Sequence, residues 1–303
     1  MPTALPALAL ALALTAATPQ EERVVVEVLG SAQDAGLPHL GCTEDRCLRA
    51  AQDPALRKRV ASLGIRAGDS LFLVDATPDV VSQIIDLQDG DARGRRPLDG
   101  VLLTHAHIGH YLGLALLGKE SLSAQEVPLY STESMAHYLT QNGPWSLLVA
   151  SKQIMLRSLE GEIRLTDNLR VEALAVPHRE EFTDTVGFVF TGPRKSLLYI
   201  PDIDRWEDLE PPIEELAKRI DILILDGSFW DPGRELSVRD PSKIPHPPMP
   251  VTMERLGSSI GAARVYFTHL NHTNPAWDKG SPERKKIEEA GFGIVEDGDR
   301  FEL

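Results

Sequence analysis

With 303 residues, 42% of them hydrophobic and 25% charged, the chain has the balance of a soluble globular protein with enough apolar material for a sizeable core. That composition excludes disordered and collagen-like architectures. A formal net charge of −14, with no compensating basic run, excludes nucleic acid as a partner and leaves a small-molecule substrate as the expectation.

The opening MPTALPALALALALTAATPQ is uncharged, and its apolar stretch, too short to span a bilayer, runs into the small residues Thr15, Ala16 and Ala17. This predicts a signal peptide over 1–20, cleaved after Ala17, and an exported, periplasmic or extracellular protein. No cysteine follows the processing site, so no stable membrane anchor is expected. No repeat, low-complexity segment or long linker interrupts residues 21–303, which are expected to form a single domain.

In chain order, apolar β-branched runs predict strands at 23–29, 70–76, 100–104, 169–176, 185–192, 196–200, 221–227 and 263–269. Helical periodicity appears at 79–88, 111–118, 132–141, 212–219, 250–259 and 282–290. Several strands are apolar throughout, as strands covered on both faces are. The class that follows is α/β (α+β), with layered sheets flanked by helices. Early in the chain, PHLGCTEDRC holds the only two cysteines, Cys42 and Cys47. They either close a local disulfide or join His39 in a structural zinc site, and such a site is one ligand short.

Chemistry-bearing residues fall at strand ends, where rigid scaffolds present functional groups. His105 and His107 follow GVLLT, His178 follows LRVEALAVP, Asp202 follows SLLYIP and His269 closes ARVYFT. In LLTHAHIGHYLGL, His105 and His107 lie two apart, which puts them on one side of an extended segment where they can share an ion. His110, three residues on, addresses a neighbouring position. Imidazole is the commonest neutral donor for a borderline-soft ion, so metal binding is the expected use of this cluster.

THAHIGH resembles the HxHxDH signature of the metallo-β-lactamase superfamily, and His178, Asp202 and His269 match its later metal-binding motifs in order. The resemblance implies an αββα sandwich of two mixed β-sheets flanked by helices, with metal at the sheet edge. Within the superfamily the chain is similar to the PqqB-like branch (pyrroloquinoline quinone biosynthesis protein B), through GSAQDAGLPHLGC, LVDATPD, LDGSFW, HLNHTNP and SPERKKIEEAGF. Carried over residue by residue, His105, His107 and His178 hold a first ion, His110 and His269 a second, and Asp202 bridges them. The implied cofactor is one or two Zn²⁺, with iron as an alternative.

The chain departs from the signature at Gly109, where an aspartate would stand. Loss of that anionic ligand predicts a weakened second site, which Gly109→Asp should refill unless Asp204 or another carboxylate substitutes. Zinc brings the pKa of its water down to about 7, so the implied reaction is attack of metal-bound hydroxide on an ester, lactone, amide or phosphodiester. Asp202 is the base that orients the hydroxide. His246, in KIPHPPMP, either reaches the site as a proton donor or substrate contact, or sits in solvent. Asp75, Asp204, Asp226 and His272 are candidates to orient ligand histidines. Two further readings stay open beside the hydrolase: an iron-dependent oxidative step in quinone cofactor biosynthesis, and a non-catalytic metal-binding protein.

Overall fold

The structure is a computed structural model that describes residues 23–236, 240, 244–257 and 261–303. The expected signal peptide at 1–20 lies outside the described residues. Among the described residues, fourteen strands alternate with short helices: β1 (Val24–Gly30), β2 (Ser62–Ala67), β3 (Ser70–Val74), β4 (Gly100–Leu102), β5 (Val127–Ser131), β6 (Ile154–Ser158), β7 (Glu162–Arg164), β8 (Arg170–Ala175), β9 (Val186–Thr191), β10 (Ser196–Ile200), β11 (Ile222–Asp226), β12 (Arg264–Thr268), β13 (Gly293–Ile294) and β14 (Arg300–Glu302). The helices are α1 (Asp45–Gln52), α2 (Val80–Gln88), α3 (Ile108–Tyr111), α4 (Glu133–Gln141), α5 (Trp145–Ala150), α6 (Ile213–Leu216), α7 (Pro232–Glu235), α8 (Met249–Leu256) and α9 (Pro282–Glu289).

Two seven-stranded sheets result, in the orders β14-β1-β2-β3-β4-β5-β6 and β13-β12-β11-β10-β9-β8-β7. Each is antiparallel on one side and parallel on the other: β3 to β6 run parallel in the first, β10 to β13 in the second. The period-2 alternation of the strands explains the layering. Phe72 and Val74 of β3 face an inter-sheet core with Phe188, Phe190, Leu197 and Tyr199. The alternate residues Leu71 and Leu73 pack instead with Val80 and Leu87 of α2 and Met135 and Leu139 of α4. Leu198 and Ile200 of β10 likewise turn outward onto Ile213, Leu256 and Ile287 of the helices over the second sheet. The expected αββα sandwich is what these residues build.

Each predicted strand is present, within one or two residues at its ends. The helix expected at 111–118 is different: α3 begins earlier and gives way to a 3-10 segment over 112–117. Here Gly113 N donates to Ala76 O at 2.8 Å, and His110 O accepts from Ala76 N at 2.8 Å, so groups that would continue an α-helical ladder are tied to the loop after β3. The helix expected at 212–219 is the single turn α6. The strands not foreseen are β2, whose run contains Gly64 and Arg66, β5, β6 and the short edge segments β7, β13 and β14.

Candidate metal centre

The parallel halves of both sheets end at one place, and there the polar residues gather. Asp75 follows β3, His105, His107 and His110 follow β4, Asp202 and Asp204 follow β10, Asp226 ends β11, His269 follows β12 and His178 follows β8. Asp75 and His269 have positive φ, 65° and 61°, a sparsely populated conformation for side chains with a Cβ that persists only where surroundings enforce it.

His105 Nε2 lies 2.9 Å from His107 Nδ1, and His178 Nε2 lies 3.1 Å from that same Nδ1. Asp202 reaches toward this group, 3.4 Å from His105 Nε2 and 3.5 Å from His178 Nε2. Asp202 also faces a second group. Its Oδ2 is 3.4 Å from His110 Nε2 and 3.6 Å from His269 Nε2, and Asp34 Oδ1 lies 3.5 Å and 3.6 Å from those two nitrogens. A tetrahedral ion with bonds of about 2.0–2.1 Å holds its ligand atoms roughly 3.3 Å apart, the spacing seen here.

The histidines present these nitrogens because their other nitrogens are taken. Thr104 Oγ1 lies 3.0 Å from His105 Nδ1, Glu181 3.0 Å from His107 Nε2, and Asp75 2.8 Å from His110 Nδ1. Asp204 lies 2.7 Å from His178 Nδ1 and Ser228 Oγ 3.0 Å from His269 Nδ1. Such outer contacts fix the tautomer and the ring plane of a ligating imidazole. A cation fits the inner atoms for a separate reason. Among the described residues, Asp34 Oδ1, His110 Nε2, Asp202 Oδ1 and His269 Nε2 are buried and find no hydrogen-bond partner, a costly arrangement for polar atoms that a shared cation relieves.

The electrostatics agree at Asp202, Asp34, His105 and His107. Burial alone would raise the pKa of Asp202, but the facing His269, His246 and His178 hold it well below the carboxylate range. Asp34 is also held low: burial opposes this and His110 and His269 outweigh it. Burial lowers the pKa of His105 and of His107, which favours the neutral, ligating imidazole.

Asp34 corrects the reading of Gly109. Asp204, a candidate substitute for the missing carboxylate, is engaged with His178 instead. Asp34 supplies the carboxylate, from the loop after β1, and a Cβ on residue 109 would sit 2.3 Å from its Oδ1. Gly109 is therefore the space in which Asp34 stands, and an anionic donor is present at the second group after all. Sequence reasoning also missed Gln33, Glu181 and Ser228.

His246 is buried rather than in solvent, with φ 82°. Its Nδ1 lies 2.7 Å from Asp226 and 3.1 Å from Asp202. Burial would lower its pKa, but Asp226 and Asp202 reverse this and bring it to about 10. Asp226 thus orients His246 rather than a histidine of either metal group. His272 does not hold His269, since Ser228 does that. It stacks on His39 with centroids 4.2 Å apart, and its Nδ1 lies 3.5 Å from Cys47 Sγ. Cys42 and Cys47 are free thiols, and with His272 rather than His39 they place three donor atoms within 4.8 Å of one another. Trp145 is buried, its ring 4.6 Å from that of Tyr111.

The model of the β-lactamase superfamily domain matches residues 71–270, which span most of both sheets and every residue of the two metal groups except Asp34. The chain belongs to the β-lactamase superfamily. Within it, the chain is 28% identical to coenzyme PQQ synthesis protein B of Gluconobacter oxydans (strain 621H), over 92% of this chain and 98% of that protein. Among solved structures, Zn(2+)-bound PqqB from Methylobacterium extorquens superposes with a TM-score of 0.76 at 22% identity, covering 92% of this chain and 100% of that one. A diphosphatase from the PhnP family superposes with a TM-score of 0.68 at 24% identity, over 93% and 97% of the two chains. The fold is common to all of them. The chain is PqqB-like in sequence, while its neighbours in fold include hydrolases.

Proposed function

We propose that this protein is a metal-dependent hydrolase that cleaves an ester, lactone, amide or phosphodiester with zinc as cofactor. The observation that carries the reading is the pair of abutting ligand groups, His105–His107–His178 and Asp34–His110–His269, which share Asp202 and leave inner donor atoms unpartnered. When bound, zinc acidifies water to a pKa near 7 and polarises the oxygen under attack.

The chain's own residues then have distinct tasks. Asp202, between the two groups, accepts a hydrogen bond from the attacking water and fixes its lone pair toward the substrate. Asp226 holds His246 through Nδ1, which leaves Nε2 as the atom from which a proton passes to the departing oxygen or nitrogen. Gln33 Nε2 lies 3.4 Å from that Nε2 and donates to it once the proton has left. Phe182 and Ile108, each 58% exposed and each next in the chain to a residue of the His107–Glu181 contact, give the site an apolar rim. That favours substrates with a nonpolar group beside the scissile bond.

Likeness to coenzyme PQQ synthesis protein B over 92% of the chain supports a second reading, an iron-dependent oxidative step, because this histidine and carboxylate set suits iron as well. Elemental analysis of protein purified without added metal, with p-nitrophenyl acetate and bis(p-nitrophenyl) phosphate hydrolysis and oxygen uptake, separates the two. Zinc content with turnover of either ester supports the hydrolase. Iron content with oxygen uptake and no hydrolysis replaces it with the second reading.

A further inference from the structure

The loop that carries Asp34 continues to Leu37, and the loop that carries His269 continues to Trp277. Both residues, with Arg46, Lys58, Arg284 and Glu296, line a pocket of about 420 Å³. Among the described residues, none of the metal-centre histidines or aspartates lines it. Its chemistry is opposite to that of the chain: five cationic side chains against two carboxylates, in a protein of net charge −14.

Two features suggest a receptor rather than a chance grouping of surface cations. Arg46 is partly buried, and its Nη1 donates to His272 O at 3.0 Å and Asn274 O at 2.7 Å. Burial lowers its pKa, and attraction to Asp278 and Glu235 offsets this only in part, so the desolvated charge is incompletely compensated. Opposite it, one carboxylate is shared by three cations: Glu296 lies 2.8 Å from Lys279, 3.5 Å from Lys58 and 3.7 Å from Arg284. The walls also offer apolar surface. Leu56 is 41% exposed there, and the Trp277 indole N–H donates to Asn271 O at 2.9 Å, which holds its ring in place.

We propose that this pocket binds a small organic anion, a carboxylate or phosphate monoester on an apolar body. Its charged end lies on Arg46 and the lysine-rich edge, and its body on Leu37, Leu56 and Trp277. Arg46 makes forked, charge-assisted hydrogen bonds to such a group. The proposal does not depend on the hydrolase reading.

Phenyl phosphate is the probe, followed through the Trp277 indole N–H resonance, which is assigned by its loss in Trp277→Phe. Titrations in wild type and in His178→Ala separate this pocket from the metal centre. The expected result is a saturable shift in both proteins. Arg46→Gln should weaken binding about tenfold or more. Lys279→Ala, at a side chain 73% exposed and so without risk to folding, should weaken it less. Glu296→Gln frees Lys58 and Lys279, while Arg284 keeps Glu288 at 2.7 Å, and should tighten it. Benzyl alcohol, the uncharged counterpart, should give no saturable shift. Absence of a saturable Trp277 shift in wild type, binding unchanged in both Arg46→Gln and Lys279→Ala, or equal binding of benzyl alcohol overturns the proposal.

Discussion

Gly109→Ala is the sharpest test of the idea that a carboxylate has moved from one loop to another. A Cβ at residue 109 would lie 2.3 Å from Asp34 Oδ1 and 2.7 Å from Asp34 Cα. The second contact is with backbone, so turning the carboxylate away does not relieve it. Ordinary contact begins at 3.4 Å, and Asp34 Cα must therefore retreat by about 0.7 Å, the difference between the two distances. Metal–ligand distances tolerate roughly 0.2 Å, so such a retreat takes the carboxylate out of reach of an ion held by His110 and His269. Overpacking of this kind costs about 1–3 kcal/mol. The expected outcome is a fall from two bound ions per chain toward one. The affinity for the second ion should drop by at least about 10–100-fold, the range already seen when an outer contact is lost. Chelator-competition titration with elemental analysis reads the metal, and urea unfolding reads the stability. Asp34→Ala should lose the same ion with less loss of stability. Gly109→Asp, which on sequence alone should fill the second site, is expected to empty it. Wild-type affinity for the second ion in Gly109→Ala or Gly109→Asp would refute the assignment of Asp34.

Four further outcomes are expected. Asp75→Asn, which replaces an acceptor of Thr104 N, Thr104 Oγ1 and His110 Nδ1, should weaken metal binding by about 10–100-fold in the same titration. His246→Gln should leave the metal content intact and reduce kcat by about 10²–10⁴-fold in steady-state hydrolysis, whereas a loss of metal would assign it to the ligand set. Removal of the metal by chelation should lower the unfolding temperature in calorimetry, with recovery that depends on the concentration of zinc added back. Burial raises the Glu296 pKa, but Lys279, Lys58 and Arg284 hold it below its ordinary 4.5; its contribution to stability is therefore complete above pH 4.5 and fades as pH falls through the folded-state value. Glu296→Gln should consequently be less stable than wild type at pH 7, with the gap closing in urea titrations below pH 4.5.

The strands and the ligands at their ends were legible for one reason. A buried strand is written as an apolar run, and a histidine or aspartate directly after it has little cause to be there except a polar site. His105, His107, His178, Asp202 and His269 each stand in that position. The edge strands were not legible, because β7 and β14 are three residues each and carry charged side chains outward, as unpaired edges do. Glu181 and Ser228 also gave little signal. A glutamate in a charged loop and a serine after a strand are ordinary surface and turn residues until the histidine each one holds is in view.

Asp34 was hidden by its own context. It follows β1 by four residues, in a loop with no periodicity, and its role exists only because Leu270 O accepts from Gln33 N at 3.0 Å and Arg59 O from Ala32 N at 2.9 Å, contacts between distant parts of the chain. The glycines around it carried the signal that could have found it. At Gly30 a Cβ would lie 2.0 Å from Val60 O, and Gly36 has a φ of +71°, so the loop is pressed against the segment that leads into β2 and turned sharply on either side of Asp34. A carboxylate between two such constraints is held in place, and a held carboxylate in a loop beside a metal signature is a ligand candidate. Gly109 makes the same argument from the opposite loop. Read as a vacancy, it predicts a damaged site; read as room for a neighbour, it predicts that a carboxylate from elsewhere fills the space, and the pairing of the two loops decides for the second.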